Sequence, residues 1–308
     1  MLILGITLLV ISGLEWVTTG ILMGRAPKDG IDSGFLLTLM ALLGVIVFGI
    51  LMLATGLPTV GAKEAFIVAL CMAVSGIVNS RQLVDMSKAM QIGPNGIIWS
   101  ILQCGFIIPF IVGVVFFHNP LNIARILGAI SLIVALNMMG LLGDLGKGAI
   151  KSKGNWQLLT LRAFFWTGLT QLLINIPSHF NDIGDIGVAW RLFWCKLGFA
   201  IASPLFTICS GKGRELLTLY RRQARIPRVW LYALPLEALG IIVCFFAQFP
   251  GMDIMAKFNA GAISMPLMVG SCIIGFDLYA LIFLHEKRTP LQFAALLLCL
   301  VGTVAICL

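Results

Sequence analysis

Long, unbroken runs of hydrophobic residues recur along the whole chain, and short polar stretches separate them. A helix needs about 20 mainly apolar residues to cross the hydrocarbon core of a bilayer. Ten runs reach that length and are numbered here as segments 1 to 10: residues 2–24, 33–55, 63–83, 94–117, 122–143, 156–177, 187–209, 228–248, 259–284 and 290–308. The runs are continuously apolar rather than alternating, which excludes a barrel of strands as the main architecture. The pattern predicts an all-α integral membrane protein of about ten transmembrane helices.

The composition supports a membrane location. Of the 308 residues, 59% are hydrophobic and 11% are charged, whereas soluble domains average about 45–50% apolar and about 25% charged residues. Lipid solvates such an apolar exterior, so we expect a multi-pass protein of the plasma or inner membrane. The net charge of +8 is typical of basic cytoplasmic loops and gives no reason to expect a nucleic-acid partner. The eight cysteines are scattered without CxxC spacing, and we interpret them as small buried apolar residues.

The chain also repeats itself at long spacing. His118 precedes the main part of segment 5, and His285 precedes segment 10, 167 residues later. Earlier segments pair at the shorter spacings of 155 and 154 residues, as Gly13 does with Gly168 and Gly44 with Gly198. The difference falls in the long connection 211–228, whose counterpart between segments 2 and 3 is short. The spacing therefore predicts two related halves with one insertion.

The two predicted halves are residues 1–146 and residues 147–308, the second carrying the basic insert at 211–228. Because each half has an odd number of helices, the second half must enter the membrane from the opposite side. Inverted repeats of this kind recur in secondary transporters, whose substrate sites lie at the repeat interface near the midplane. The alternative explanation for the matched positions is that any two polytopic halves share glycine-rich apolar helices.

The end of the chain resembles a known family. The turn His285-Glu286-Lys287-Arg288-Thr289-Pro290-Leu291-Gln292 leads into a leucine-rich last segment with Gly302. It is similar to the end of an EamA-type repeat of the drug/metabolite transporter superfamily. The first half ends similarly, with Asn119 where such repeats often carry Glu. The resemblance covers the whole chain as ten helices in two repeats, and it implies a transporter with a central cavity between the two sets of helices.

Basic residues indicate an orientation. The odd-numbered connections hold 15 of the 21 Lys and Arg residues, and the positive-inside rule places those connections in the cytoplasm. Both termini would then face outward, whereas relatives with ten helices are usually drawn with both termini inside. We favour the charge distribution. The most basic connection, 211–228, is either a topology-fixing loop or an amphipathic helix lying against anionic headgroups.

Ionisable residues inside the segments are the first candidate site residues, because they are costly in a membrane and usually mark pathways or paired charges. Two arginines, Arg162 and Arg191, lie near segment ends, where long side chains can reach the interface. Four residues lie deeper and are expected to contact the solute or to form structural salt bridges: Glu15, Lys196, Glu237 and Asp277.

Two uncharged stripes are the second group of candidates. Side chains four residues apart share one face of a helix. The stripe of segment 4 is Asn95, Trp99 and Gln103, and that of segment 6 is Thr167, Gln171 and Asn175 with Trp166 beside it. Amides and indoles facing a cavity would hydrogen-bond and stack against a polar organic solute. Hydrogen bonding between helices is the alternative role of these residues.

Glu15 has a specific alternative. It lies near mid-bilayer, where a carboxylate is poorly solvated and is a candidate proton carrier. The sequence Ser12-Gly13-Leu14-Glu15 resembles the membrane-embedded Glu of small multidrug resistance proteins, and this resemblance implies competition between an ion and a substrate for one carboxylate. The repeat partner of Glu15 is Thr170, so a second acid is missing from the matching place. A fixed ion pair with Lys196 would instead make Glu15 structural.

The leading functional hypothesis is a secondary transporter that moves a small organic metabolite or drug by alternating access, with protons as a candidate coupling ion. The chain has no HExxH, GxSxG or P-loop sequence, and no cofactor is expected. The expected partners are a small-molecule solute, the lipid bilayer and protons. A membrane-embedded enzyme or a non-transporting membrane subunit is the alternative.

Overall fold

A computed structural model describes residues 1–116, 121–142, 155–180, 186–209, 213–258, 260–285 and 289–307. The regular structure of these residues is entirely helical. Three features of the sequence lie outside the described residues: the boundary between residues 146 and 147, the pair His118-Asn119, and residues 286–288 of the EamA-like turn.

The helices are labelled in chain order. Segments 1 to 5 correspond to α1 (Leu2–Arg25), α2 (Ser33–Thr55), α3 (Ala62–Ile92), α4 (Asn95–Gln103) with α5 (Ile107–Phe116), and α6 (Ile123–Leu142). Segments 6 and 7 correspond to α7 (Trp156–Asn175) and α8 (Val188–Thr207). The remaining helices are α9 (Gly213–Ala224), α10 (Pro227–Val243), α11 (Phe249–Lys257), α12 (Gly261–Ile282) and α13 (Pro290–Cys307).

Six helical stretches of the described residues are long and apolar enough to cross a membrane. They are Leu2–Asp29, Ser33–Thr55, Ala62–Ile92, Asn95–Phe116, Pro227–Lys257 and Ile263–Ile282. This confirms a helical protein of membrane-spanning character. The other four predicted segments correspond to α6, α7, α8 and α13, which are 18 to 20 residues long and are not among those six.

Two of the predicted segments depart from regular α-helical geometry. A 3₁₀ turn, Cys104–Phe106, separates α4 from α5. Pro109 has no N–H for the carbonyl of Gly105, so the ladder weakens at this point. A π-helical turn, Cys244–Gln248, joins α10 to α11 and continues one long helix past the predicted end of segment 8.

The helix ends gather into two groups at opposite ends of the bundle. At one end, which we name the basic end, Asp29 accepts a hydrogen bond from Tyr232 Oη at 2.5 Å and pairs with Arg228 at 3.5 Å. At the opposite end Trp190 Nε1 donates to the Ala65 carbonyl at 3.3 Å. The α1–α2 turn, α9 and the start of α10 all lie at the basic end. This arrangement agrees with alternating crossings of a membrane.

Each of the main helix pairs joins a helix of the first predicted half to a helix of the second. α1 lies against α12 and against the continuous α10–α11 helix, while α7 lies against α3 and the α4–α5 helix. α2 packs on α8, α3 packs on α8, and α6 packs on α13. Few of these neighbours are adjacent in sequence, so the two predicted halves interleave rather than stand side by side.

Candidate functional site

A cavity of about 200 Å³ lies between the helices of the two predicted halves. It is bounded by α1, α2, α3 and α4 from the first half and by α7, α8 and the α10–α11 helix from the second. Seven of the eleven residues predicted as site residues line it: Glu15, Trp99, Gln103, Thr167, Gln171, Lys196 and Glu237. The cavity is the place where the sequence-based candidates converge.

Among the described residues, three charged side chains line this cavity, and they come from three helices. Lys196 Nζ on α8 donates to Glu237 Oε1 on α10 at 2.5 Å. The Glu237 side chain is 4% exposed and that of Lys196 is 23% exposed. Gly44 on α2 makes room for this pair, because a Cβ there would lie 2.7 Å from Glu237 Oε1 and 2.8 Å from Lys196 Cδ.

Glu15 lies beside that pair without joining it. Its carboxylate faces the same cavity from the middle of α1, across from Gly240 on α10, whose ideal Cβ position is 3.6 Å from Glu15 Oε1. Among the described residues, Lys196 pairs with Glu237 and Glu15 forms no ion pair. The hypothesis that a Glu15–Lys196 pair is fixed is therefore wrong in its choice of partner.

The two uncharged stripes meet at one contact. Gln171 Nε2 on α7 donates to Gln103 Oε1 on α4 at 3.5 Å. The Trp99 ring stacks on Phe276 with centroids 4.9 Å apart. The Gln171 Oε1 and Thr170 Oγ1 atoms are buried without a hydrogen-bond partner in the described structure, and both residues line the cavity. These oxygens can bind a donor group of a solute or water.

The other four predicted site residues lie outside the cavity. Asn95, at the first turn of α4, approaches Gly24 of α1 at the basic end. Trp166 packs edge-on against the neighbouring Phe165 ring. Asn95 lies at the end of its stripe and outside the cavity, because the cavity is shorter than the helices that border it.

Asn175 and Asp277 complete that group of four. Asn175 approaches His179 Nε2 at 3.5 Å through its Nδ2 atom, and burial lowers the pKa of His179. Asp277 is buried and accepts a hydrogen bond from Ser100 Oγ at 3.2 Å. These contacts fit the alternative predicted for such residues, which is bonding between or within helices.

Several polar residues that line the cavity were not among the predicted site residues. They are Thr19, Asn79, Gln82, Thr170 and Gln248. Asn79 and Gln82 are three residues apart on α3 and therefore share a face, which is the signal that could have found them. Thr170, the predicted repeat partner of Glu15, lines the cavity from α7.

The two arginines near helix ends form ion pairs. Arg191 is 1% exposed and binds Asp253 with both terminal nitrogens, at 3.0 and 2.5 Å. It also lies 4.7 Å from the centre of the Phe249 ring. The prediction that Arg191 reaches the interface is wrong, because Asp253 supplies a carboxylate inside the protein. Arg162 is 44% exposed and pairs with the buried Asp85 at 3.1 Å.

No family model and no curated protein sequence matches the chain. Similarity to solved structures exists for 26 chains. One of them, described as "Crystal structure of protein", superposes with a TM-score of 0.62 over 98% of this chain and 97% of its own, at 13% sequence identity. A likeness at this identity shows the fold alone, and function must be argued from the site.

Proposed function

We propose that the protein is a secondary transporter that carries a small organic metabolite or drug through the central cavity by alternating access. The main observation behind this proposal is the cavity, which lies between the two sets of helices. It is lined by an ion pair, an additional carboxylate, amides and indoles. The proposal includes ten spans in two inverted five-helix halves, a position in the plasma or inner membrane, and membership of the EamA-like group of the drug/metabolite transporter superfamily.

The packing of the helices supports the two-half organisation. If each helix is replaced by its counterpart in the other half, the pair α1–α12 becomes the pair of α7 with α4–α5, which is also in contact. In the same way, the contact of α1 with α10–α11 becomes the contact of α7 with α3. The same exchange leaves the α2–α8 and α6–α13 contacts in place. A pseudo-two-fold relation would produce this set of pairs, with α6 and α13 as equivalents.

Matched glycines support the same relation. A Cβ on Gly13 of α1 would collide with the Met268 carbonyl oxygen of α12. A Cβ on its predicted partner, Gly168 of α7, would lie 2.6 Å from the Gly105 carbonyl oxygen between α4 and α5. Small residues let membrane helices approach closely at such crossings. Both halves therefore use glycine at the equivalent crossing.

Two equivalent interfaces differ, and this difference fits alternating access. Between α3 and α8, Gly76 and Gly198 bring the backbones together, because a Cβ on either would collide with a carbonyl oxygen of the other helix. Between α2 and α10, Gly44 instead meets the side chains of Lys196 and Glu237. Halves that hold unequal conformations can expose the site to the other side by rocking against one another.

The charges of the cavity favour a proton or a cationic group among its occupants. When ionised, the two carboxylates and one ammonium that the described residues contribute leave one negative charge uncompensated. The size also limits the solute, since sites for drug-sized ligands run to roughly 300–1,000 Å³ and this cavity measures about 200 Å³. A small solute with hydrogen-bond donors fits both properties.

Uptake into proteoliposomes from a library of small metabolites tests the proposal. Once a solute is found, we expect Trp99→Ala, Gln103→Ala and Gln171→Ala to weaken transport while the protein still inserts and folds. Asn95→Ala, on the same face of α4 but outside the cavity, is the matched control. Full activity in all three cavity variants would assign these residues to packing, and absence of any transported solute would favour a non-transporting subunit or a membrane-embedded enzyme.

A further inference from the structure

Helix α9 is part of the basic insert, and one of its faces is already occupied by the protein. Tyr220 packs edge-on against Phe35 of α2, with ring centroids 4.9 Å apart, and its hydroxyl lies 3.0 Å from Thr38 Oγ1. Gln223 Nε2 donates to the Gly30 carbonyl, and the Asp32 N–H donates to Gln223 Oε1, both at 3.2 Å. These contacts fix α9 across the start of α2.

The other face of α9 is exposed and basic. Arg221 and Arg222 in the last turn, and Arg225 just beyond it, are all exposed. No ion pair or hydrogen bond of their side chains occurs in the part of the chain that the structure describes. Like charges so close together repel one another unless an anion lies among them.

Exposed apolar side chains lie near these arginines on α9 and at the start of α10. Leu217 of α9 is 61% exposed, and Leu231 of α10 is 70% exposed. Between the two helices, Trp230 is 38% exposed and its Nε1 donates to the Ala224 carbonyl at 2.9 Å. Tryptophan is enriched at the level of the headgroups, so this position places the arginines next to the lipid phosphates rather than in bulk water.

We propose that α9 binds anionic lipid headgroups of the leaflet at the basic end, with Arg221, Arg222 and Arg225 contacting the phosphates and Leu217 entering the boundary with the acyl chains. Guanidinium groups suit phosphate because they can donate two parallel hydrogen bonds. An amphipathic helix with arginines on one side and leucine at its margin lies in the interface in this manner. The membrane is thus a ligand of this segment and not only a solvent for the bundle.

Binding at α9 has a structural consequence for the cavity. Leu37, Met40 and Ala41 of α2 line the cavity, and they follow the turn that α9 holds through Gln223 and Tyr220. A headgroup that stabilises α9 also stabilises that end of α2. Anionic lipid is therefore expected to raise the thermal stability of the whole protein.

The test uses the full-length protein in nanodiscs of phosphatidylcholine alone or with added phosphatidylglycerol, and measures binding of a fluorescent phosphatidylglycerol and the melting temperature. The variant is Arg221→Gln/Arg222→Gln/Arg225→Gln. An arginine near an anionic surface contributes about fivefold in affinity, so the triple change should weaken phosphatidylglycerol binding roughly 100-fold. It should also remove the stabilisation by phosphatidylglycerol without changing the melting temperature in phosphatidylcholine.

The matched control is Lys28→Gln/Lys63→Gln/Lys88→Gln, which removes the same charge from three other exposed lysines. It should weaken phosphatidylglycerol binding far less than the arginine variant does, because these lysines lie apart from α9. Equal losses in the two triple variants would show that only net charge matters, and the site on α9 would be overturned. Unchanged binding by the arginine variant, or equal binding of phosphatidylcholine and phosphatidylglycerol by the wild type, would overturn it as well.

Discussion

Lys196 and Glu237 illustrate at the scale of single residues how this bundle tolerates charge. Each side chain compensates the other at 2.5 Å, and Glu237 is almost fully buried. Removing one partner of a buried pair leaves the other charge uncompensated. We expect Lys196→Met to destabilise the protein by about 3 kcal/mol, the lower end of the usual range for a buried pair, because Lys196 is partly exposed.

Thermal unfolding in detergent measures this effect. A second substitution, Glu237→Gln, should restore most of the melting temperature, because it removes the orphaned charge and keeps the shape. Lys63→Met, at an exposed position, is the control and should unfold like the wild type. A Lys196→Met variant as stable as the wild type would show that Glu237 does not depend on Lys196.

Glu15 carries the prediction about coupling. Since Lys196 is engaged by Glu237, the Glu15 carboxylate in the cavity is available to a proton or a cation. We expect Glu15→Gln to fold normally and still bind solute, yet to lose most uptake driven by a pH gradient. The comparison is with Glu64→Gln, an exposed acid of α3, in proteoliposomes with and without the gradient. Gradient-driven uptake by Glu15→Gln at the wild-type rate would eliminate the proton role.

Residue identity predicted which charges lie deep, but not their partners. The depth of Glu15, Lys196 and Glu237 follows from position within an apolar run. The choice of Glu237 over Glu15 as the partner of Lys196 depends on the register between α8, α1 and α10. Likewise, the pairing of Arg191 with Asp253 joins residues that are 62 positions apart, and no local pattern relates them.

At the scale of helices, the close crossings at glycine lead to a stability prediction. We expect Gly13→Ala to destabilise the protein by about 2 kcal/mol, since the new methyl group would force α1 away from α12 at the Met268 carbonyl. Gly168→Ala should act similarly at the crossing of α7. The measurement is the melting temperature in detergent.

Gly49→Ala is the matched control for these two variants. It is also a helical glycine, but its added Cβ would meet the Phe193 ring at an ordinary 3.5 Å. Alanine favours a helix over glycine by up to about 1 kcal/mol, so this variant should be neutral or stabilised. Equal effects at Gly13 and Gly49 would mean that α1 and α12 are not closely packed.

Helix ends were harder to predict than helix positions. The predicted segment 3 ended at residue 83, yet α3 continues to Ile92 with Asp85, Ser87 and Lys88 in its last turns. Hydropathy indicates which residues can lie in lipid or in a protein interior. A helix ends instead where its backbone can no longer form helical hydrogen bonds, which here is at Gly93 and Pro94. The break between α4 and α5 was missed for the related reason that proline is ordinary in membrane helices.

At the scale of the whole molecule, the sequence predicts a helical membrane protein, and six long apolar helices among the described residues agree with that prediction. The repeat indicated by the spacing of His118 and His285 and of the paired glycines stays a prediction, and the exchange of helix contacts is the reason to propose it. The cavity was predicted only as a region, because its limits depend on how far apart the helices stand. Orientation in the membrane is a separate property, since the fold is the same whichever end faces the cytoplasm.

Orientation therefore needs its own measurement. The basic end carries α9, the α1–α2 turn and the start of α10, and the positive-inside rule places it in the cytoplasm. The orientation implied by the EamA-type resemblance, with both termini inside, places it outside. Thr218→Cys, on the arginine side of α9, reports on the basic end and Lys63→Cys on the opposite end, and both positions are exposed.

Both substitutions belong in a Cys209→Ser background, because Cys209 is itself exposed. We expect a membrane-impermeant thiol reagent to label Lys63→Cys in intact cells and to label Thr218→Cys only after permeabilisation. The physical reason is that arginines at α9 are retained on the side where anionic lipid and the membrane potential favour positive charge. The background alone gives the baseline for the remaining cysteines. Ready labelling of Thr218→Cys in intact cells, with Lys63→Cys protected, would place the basic end outside and remove the cytoplasmic leaflet as the partner of α9.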